Sequence, residues 1–100
     1  MQTCVNLDIL QTEKRAAILA LAKLHGASNV RVFGSVARRE DHPDSDVDFL
    51  VDLDDGRDLF DLGGLQADLR DLLCAPIDLV ETTCLHPYIR EQVLAESVPL

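Results

Sequence analysis

The run Asp46-Val47-Asp48-Phe49-Leu50-Val51 constrains the fold of this chain more than any other stretch. Side chains alternate faces along a strand, so a strand here sends both carboxylates to one side and Val47, Phe49 and Val51 to the other. One face can then join a core while the other does chemistry. Asp54-Asp55-Gly56 supplies turn residues to close the strand. Upstream, Asn29-Val30-Arg31-Val32-Phe33 also alternates and is rich in β-branched and aromatic residues, which predicts a strand ending at Gly34. Pro76-Ile77-Asp78-Leu79-Val80 repeats the format around one carboxylate and reads as a third strand.

Between the strands the apolar spacing becomes helical. Ala17, Ile18, Leu21, Ala22 and Leu24 predict a helix over 12–25, ended by Gly26; Asp8 with Gln11 resembles a capping box that would start it earlier. Ser35 to Arg39 reads as one or two helical turns, and the polar run Glu40 to Ser45, with Pro43 in it, as a loop. From Asp58 the residues Leu59, Leu62, Leu65, Leu69, Leu72 and Leu73 trace a second long helix, in which Gly63-Gly64 implies close packing or a kink. His86-Pro87 opens a last helix with an apolar stripe of Tyr88, Ile89, Val93 and Leu94. The expectation is an α/β (α+β) fold: a small mixed β-sheet of at least three strands packed with helices, with residues 1–100 forming one domain.

Composition narrows the function. The net charge of -9 comes from 18 acidic against 9 basic side chains, which disfavours direct nucleic-acid binding because that requires Lys and Arg on phosphates. Cys4, Cys74 and Cys84 are odd in number and form no CxxC pair, so they read as reduced, buried thiols. No basic leader precedes a long apolar run and no stretch reaches a membrane span, so a cytoplasmic protein is expected.

A glycine directly after a strand lets backbone approach a ligand, and Ser35 adds a hydroxyl beside it. Asp46 and Asp48, with Cα atoms about 6.5 Å apart on one strand face, can converge on a magnesium ion, a hard cation that takes oxygen ligands. Each signal alone is weak. Gly-Ser is a common turn, and Asp44-Ser45-Asp46 and Asp52-Leu53-Asp54 show how easily an acidic chain produces such pairs. Together with Asp78 on a later strand they supply the parts for nucleotidyl transfer assisted by two metal ions.

The string Phe33-Gly34-Ser35-Val36-Ala37-Arg38, followed by Asp44-Ser45-Asp46-Val47-Asp48-Phe49-Leu50-Val51, resembles the signature of the polymerase-β-type nucleotidyltransferases. Within them it is similar to the minimal nucleotidyltransferase (MNT) antitoxins that are paired with HEPN ribonuclease toxins. The resemblance implies that Asp46 and Asp48 ligate magnesium, that Gly34 and Ser35 contact the triphosphate of ATP, and that Arg38 assists them. It also implies that Asp78 serves the metal nearest the nucleophile and helps deprotonate it. One departure is Arg39, where many members have glycine; it could shift the loop from Glu40 to Ser45 or add a positive charge near the phosphates. His42 could touch nucleotide, although a solvated loop histidine is the plainer reading; His25 and His86 read as structural.

The function implied is transfer of AMP from ATP to a hydroxyl, a tyrosine's, of a HEPN toxin in a hetero-oligomeric complex. Two alternatives stand beside it: an antitoxin that masks the toxin by binding alone, and a small-molecule (antibiotic) nucleotidyltransferase. The last usually carries a further helical domain, which this sequence does not show.

Overall fold

The computed structural model describes residues 6–40 and 46–100. Four strands form one mixed sheet in the order β3-β2-β1-β4, with β1 at Ala27–Phe33, β2 at Val47–Leu53, β3 at Ile77–Glu81 and β4 at Val98–Pro99. β1 is antiparallel to β2 and to β4, whereas β2 and β3 are parallel. A parallel pair needs a crossover, and helix α4 (Leu59–Leu73) provides it. The other helices are α1 (Leu7–Gln11), α2 (Arg15–Leu24), α3 (Gly34–Ala37) and α5 (Pro87–Glu96).

Strand alternation builds the core. Val30, Val32, Val47, Phe49, Val51, Ile77 and Leu79 turn one sheet face to Ile18 and Ala22 of α2 and to Leu65, Leu69 and Leu73 of α4. Phe49 is fully buried, which contributes roughly 2–3 kcal/mol of transfer free energy. The opposite face is not left entirely to carboxylates, because Leu50 is fully buried as well. Helix α5 packs on that assembly through β1 and α3.

Several boundaries differ from the expectation. The first helical segment is two helices: Asn6 caps α1 by accepting from the Ile9 N–H at 2.9 Å, so Asp8 is not the cap. The helix breaks where the Thr12 hydroxyl donates to the Asp8 carbonyl at 2.6 Å, a side-chain bond that competes with the helical ladder. Gly26 follows α2 at φ 75, as its position predicted. β1 begins two residues early, at Ala27, with a register shift between Ser28 and Arg31, and β2 begins at Val47, one residue after Asp46.

Helix α4 runs unbroken through Gly63 and Gly64, and a Cβ on Gly64 would lie 3.0 Å from Cε1 of His25. That ring is 2.7 Å from Asp68, which ties α2 to α4 and gives His25 the structural role expected of it. Asp58 caps α4 in a capping box with Asp61, and His86 caps α5. The α5 stripe is not core, since none of its residues is buried, and Leu59 of the α4 stripe is exposed. The short edge strand β4 had no sequence signal. Cys74 and Cys84 are exposed rather than buried; Cys4 and His42 lie outside the described residues. Among the described residues no helix is long and apolar enough to cross a membrane.

Candidate active site

β1 ends at Phe33, which pairs with Asp48 of β2, so the residue after Phe33 comes up under that carboxylate. That residue is Gly34, at φ 75, a conformation side-chain-bearing residues rarely adopt. A Cβ there would lie 3.1 Å from Cγ and 3.4 Å from Cβ of Asp48, with the near carboxylate oxygen closer still. Glycine is thus required twice, by backbone angle and by the carboxylate that occupies its missing side chain's place. On the other side of β2, Asp48 is the register partner of Asp78 in β3. Paired residues project to the same face, so the sheet brings Asp48 and Asp78 together, with Asp46 two residues ahead of Asp48 and exposed.

The electrostatics record this crowding. Burial, then the negative charges of Asp78 and Asp46, push the Asp48 carboxyl from 3.8 up to about 6, and Arg38 partly opposes the shift. Arg38 caps the C-terminus of α3. Its guanidinium donates to Glu40 at 2.9 Å and lies 3.9 Å from Glu96 of α5, and the Glu40 hydrogen bond raises its already high pKa. Ser35 is half-buried at the second position of α3, beside Gly34.

Magnesium fits this donor set chemically: the groups are hard carboxylate oxygens whose mutual repulsion a cation would relieve. Among the described residues no three acid, histidine or cysteine side chains are already gathered closely enough to enclose an ion. The carboxylates are nonetheless close enough for Asp78 and Asp46 to act on Asp48 through their charge.

Glu40 and Glu96, the partners of Arg38, were not found by sequence reasoning. Glu40 is two residues along the chain and could have been suspected; Glu96 is brought in only by the packing of α5. Arg39 pairs with an acid of α1. It sits at φ 59, where glycine is unstrained, and its guanidinium forks onto Asp8 of α1 at 3.0 and 3.1 Å.

The site is thus a glycine turn beneath a strand carboxylate, with further acids and one arginine around it. Residues 14–100 match the family described as Nucleotidyltransferase domain, and the chain belongs to that family. A solved structure provisionally described as a minimal nucleotidyltransferase is 46% identical, with a TM-score of 0.87 over 98% of this chain and 99% of that one. The chain therefore has the minimal nucleotidyltransferase fold. Protein adenylyltransferase MntA of Thermococcus cleftensis is 38% identical over 78 residues, 78% of this chain and 79% of its own. A toxin–antitoxin complex solved with AMP-PNP shares the fold, with a TM-score of 0.72 at 23% identity over 84% of this chain and 69% of that one.

Proposed function

We propose that this chain is the catalytic antitoxin of a toxin–antitoxin pair, which transfers AMP from ATP to a tyrosine hydroxyl of a HEPN ribonuclease toxin and so neutralises it. The observation that carries the reading is Asp48 seated on Gly34 beside Asp78, because it puts a phosphate-approachable backbone next to paired carboxylates. The names of the Thermococcus relative and of the complex with AMP-PNP support the protein acceptor and the nucleotide.

In this reading the acceptor oxygen attacks the α-phosphorus, the bond from that phosphorus to the bridging oxygen breaks, and pyrophosphate leaves. The hydroxyl proton passes to Asp78, whose exposure lets it hand the proton to water. Gly34 offers backbone and Ser35 a hydroxyl to the triphosphate, and Arg38 adds positive charge on turning from Glu40. Asp46, Asp48 and Asp78 would hold magnesium, which when bound polarises the phosphates and offsets their charge.

The test is incubation of this chain with a HEPN-type toxin from the same organism and α-labelled ATP in magnesium. Labelled toxin is expected with the wild type and none with Asp46→Asn/Asp48→Asn; unlabelled toxin with the wild type, or undiminished label with the variant, sinks the proposal. A second reading, masking by binding alone, is favoured by the apolar side chains of Leu59 and Phe60 in solvent. Full protection of cells by the folded double variant would decide for masking.

A further inference from the structure

Five large apolar side chains stand in solvent among the described residues, and three of them belong to the two segments that meet at Gly26 and Arg57, at the end of the sheet away from Asp48. Leu24, 68% exposed, closes α2 two residues before Gly26; Leu59 and Phe60, 74% and 89% exposed, open α4. The two segments meet where the Arg57 side chain lies across Gly26, so closely that a Cβ there would come within 2.7 Å of Arg57 Cδ and Cγ. The Asp54 N–H donates to the Gly26 carbonyl at 2.8 Å, and the Arg57 N–H to the Asp54 carbonyl at 3.1 Å. Asp58 accepts from the N–H groups of Phe60 and Asp61, and Asp61 accepts from the Asp58 N–H and from Arg57. Bare apolar side chains are thus mounted on a firmly hydrogen-bonded turn, which keeps the ordering cost of binding low.

A shallow groove of about 410 Å³ opens beside Leu59, and the ionisable residues lining it are Asp54, Asp55, Asp58 and Glu81 against Arg57 alone. We propose that this groove and its apolar rim are where the partner toxin docks, through a segment that presents apolar side chains together with Lys or Arg. The inference rests on the antitoxin reading and adds the surface. Four acids to one base select a cationic partner, and a ribonuclease supplies one because it must hold RNA phosphates with Lys and Arg. A second copy of this chain is a poor occupant, since it would bring another net charge of -9 to an acidic groove. Phe60 is the kind of aromatic anchor that dominates interface energy. The groove begins at Leu53, five residues along β2 from Asp48 and about 17 Å away by strand rise, so a partner docked there leaves the nucleotide site open.

The experiment is isothermal titration of the full chain with a HEPN-type toxin from the same organism, in chelator and without ATP, so that no transfer chemistry contributes. Leu59→Ser/Phe60→Ser is expected to raise Kd at least tenfold, and Asp55→Lys roughly three- to tenfold with a shallower salt dependence. Melting temperatures and AMP-PNP affinity in magnesium should match the wild type in both. Binding by the serine variant within twofold of wild type overturns the docking site. So does sedimentation of the wild type as a dimer that this variant dissociates. Wild-type AMP transfer alongside unaltered variant binding removes the docking proposal alone, whereas absence of both binding and transfer removes the antitoxin reading with it.

Discussion

Replacing Gly34 by alanine should separate the fold from the chemistry. At φ 75 an alanine carries about 1–2 kcal/mol of left-handed strain, which in a domain of this size lowers Tm by roughly 5–15 °C. The backbone need not yield further, because the new Cβ would meet Asp48 Cβ at an ordinary 3.4 Å; the carboxylate group, with Cγ at 3.1 Å, must turn away. A displacement of about 1 Å in a catalytic group costs on the order of a hundredfold in rate. The control is Gly56→Ala, at φ 85 with nothing within 4 Å of the added methyl. Both variants should melt lower by similar amounts, and only Gly34→Ala should lose AMP transfer, about a hundredfold at saturating ATP. Transfer by Gly34→Ala within threefold of Gly56→Ala would refute the argument that Asp48 works from its seat on Gly34.

In chelator, Asp48→Asn should melt above the wild type at pH 7.5. The native carboxyl at about 6 against 3.8 when unfolded makes its contribution to stability full below 3.8 and lost as pH rises through 6, so the variant's advantage should vanish near pH 4. After discounting for solvent screening the gain is about 1 kcal/mol, and equal melting at pH 7.5 would contradict it. Gly63→Ala puts a methyl into open space within α4 and should stabilise by about 0.5–1 kcal/mol in a urea titration; destabilisation would show that the helix needs glycine there. Cys74 and Cys84 should both react with a thiol reagent in the native state, as exposed residues. Cys84 should react more slowly than an ordinary thiol, because its hydrogen bond to Glu81 raises its pKa; Glu81→Gln should speed it, and an unchanged rate would dismiss that hydrogen bond as the cause.

The parts of the fold legible in sequence were those governed by local periodicity. β2 and β3 follow from alternation of carboxylate with Val, Phe, Ile or Leu, and Gly26 and Gly34 fall where a positive φ is required. The illegible parts depend on a partner distant in sequence. Val98-Pro99 becomes a strand only because Arg31 and Val32 of β1 offer it an edge. Leu59 fits a helical stripe, but its cover would have to come from beyond the first turn of α4, and none of the described residues supplies it. Arg39 looked like a charge added to the nucleotide site; its backbone angle and its grip on Asp8 make it a structural substitute at a position suited to glycine.

The two ends of β2 place opposite demands on one acidic chain. At the far end the excess of acid suits a basic protein, and exposed groove carboxylates lose little because water still solvates them. At the near end the same sign of charge opposes a nucleotide, and burial together with the charges of Asp78 and Asp46 already makes the ionised form of Asp48 costly. Arg38 alone offsets little of it while Glu40 and Glu96 share its charge. A site of this kind binds ATP well only when cations arrive with it or before it, which is why three carboxylates around a glycine turn argue for metal-assisted transfer more strongly than for nucleotide storage. Placing the partner's recognition surface five strand residues away lets the acidic groove attract the protein without adding its charges to those the nucleotide must face.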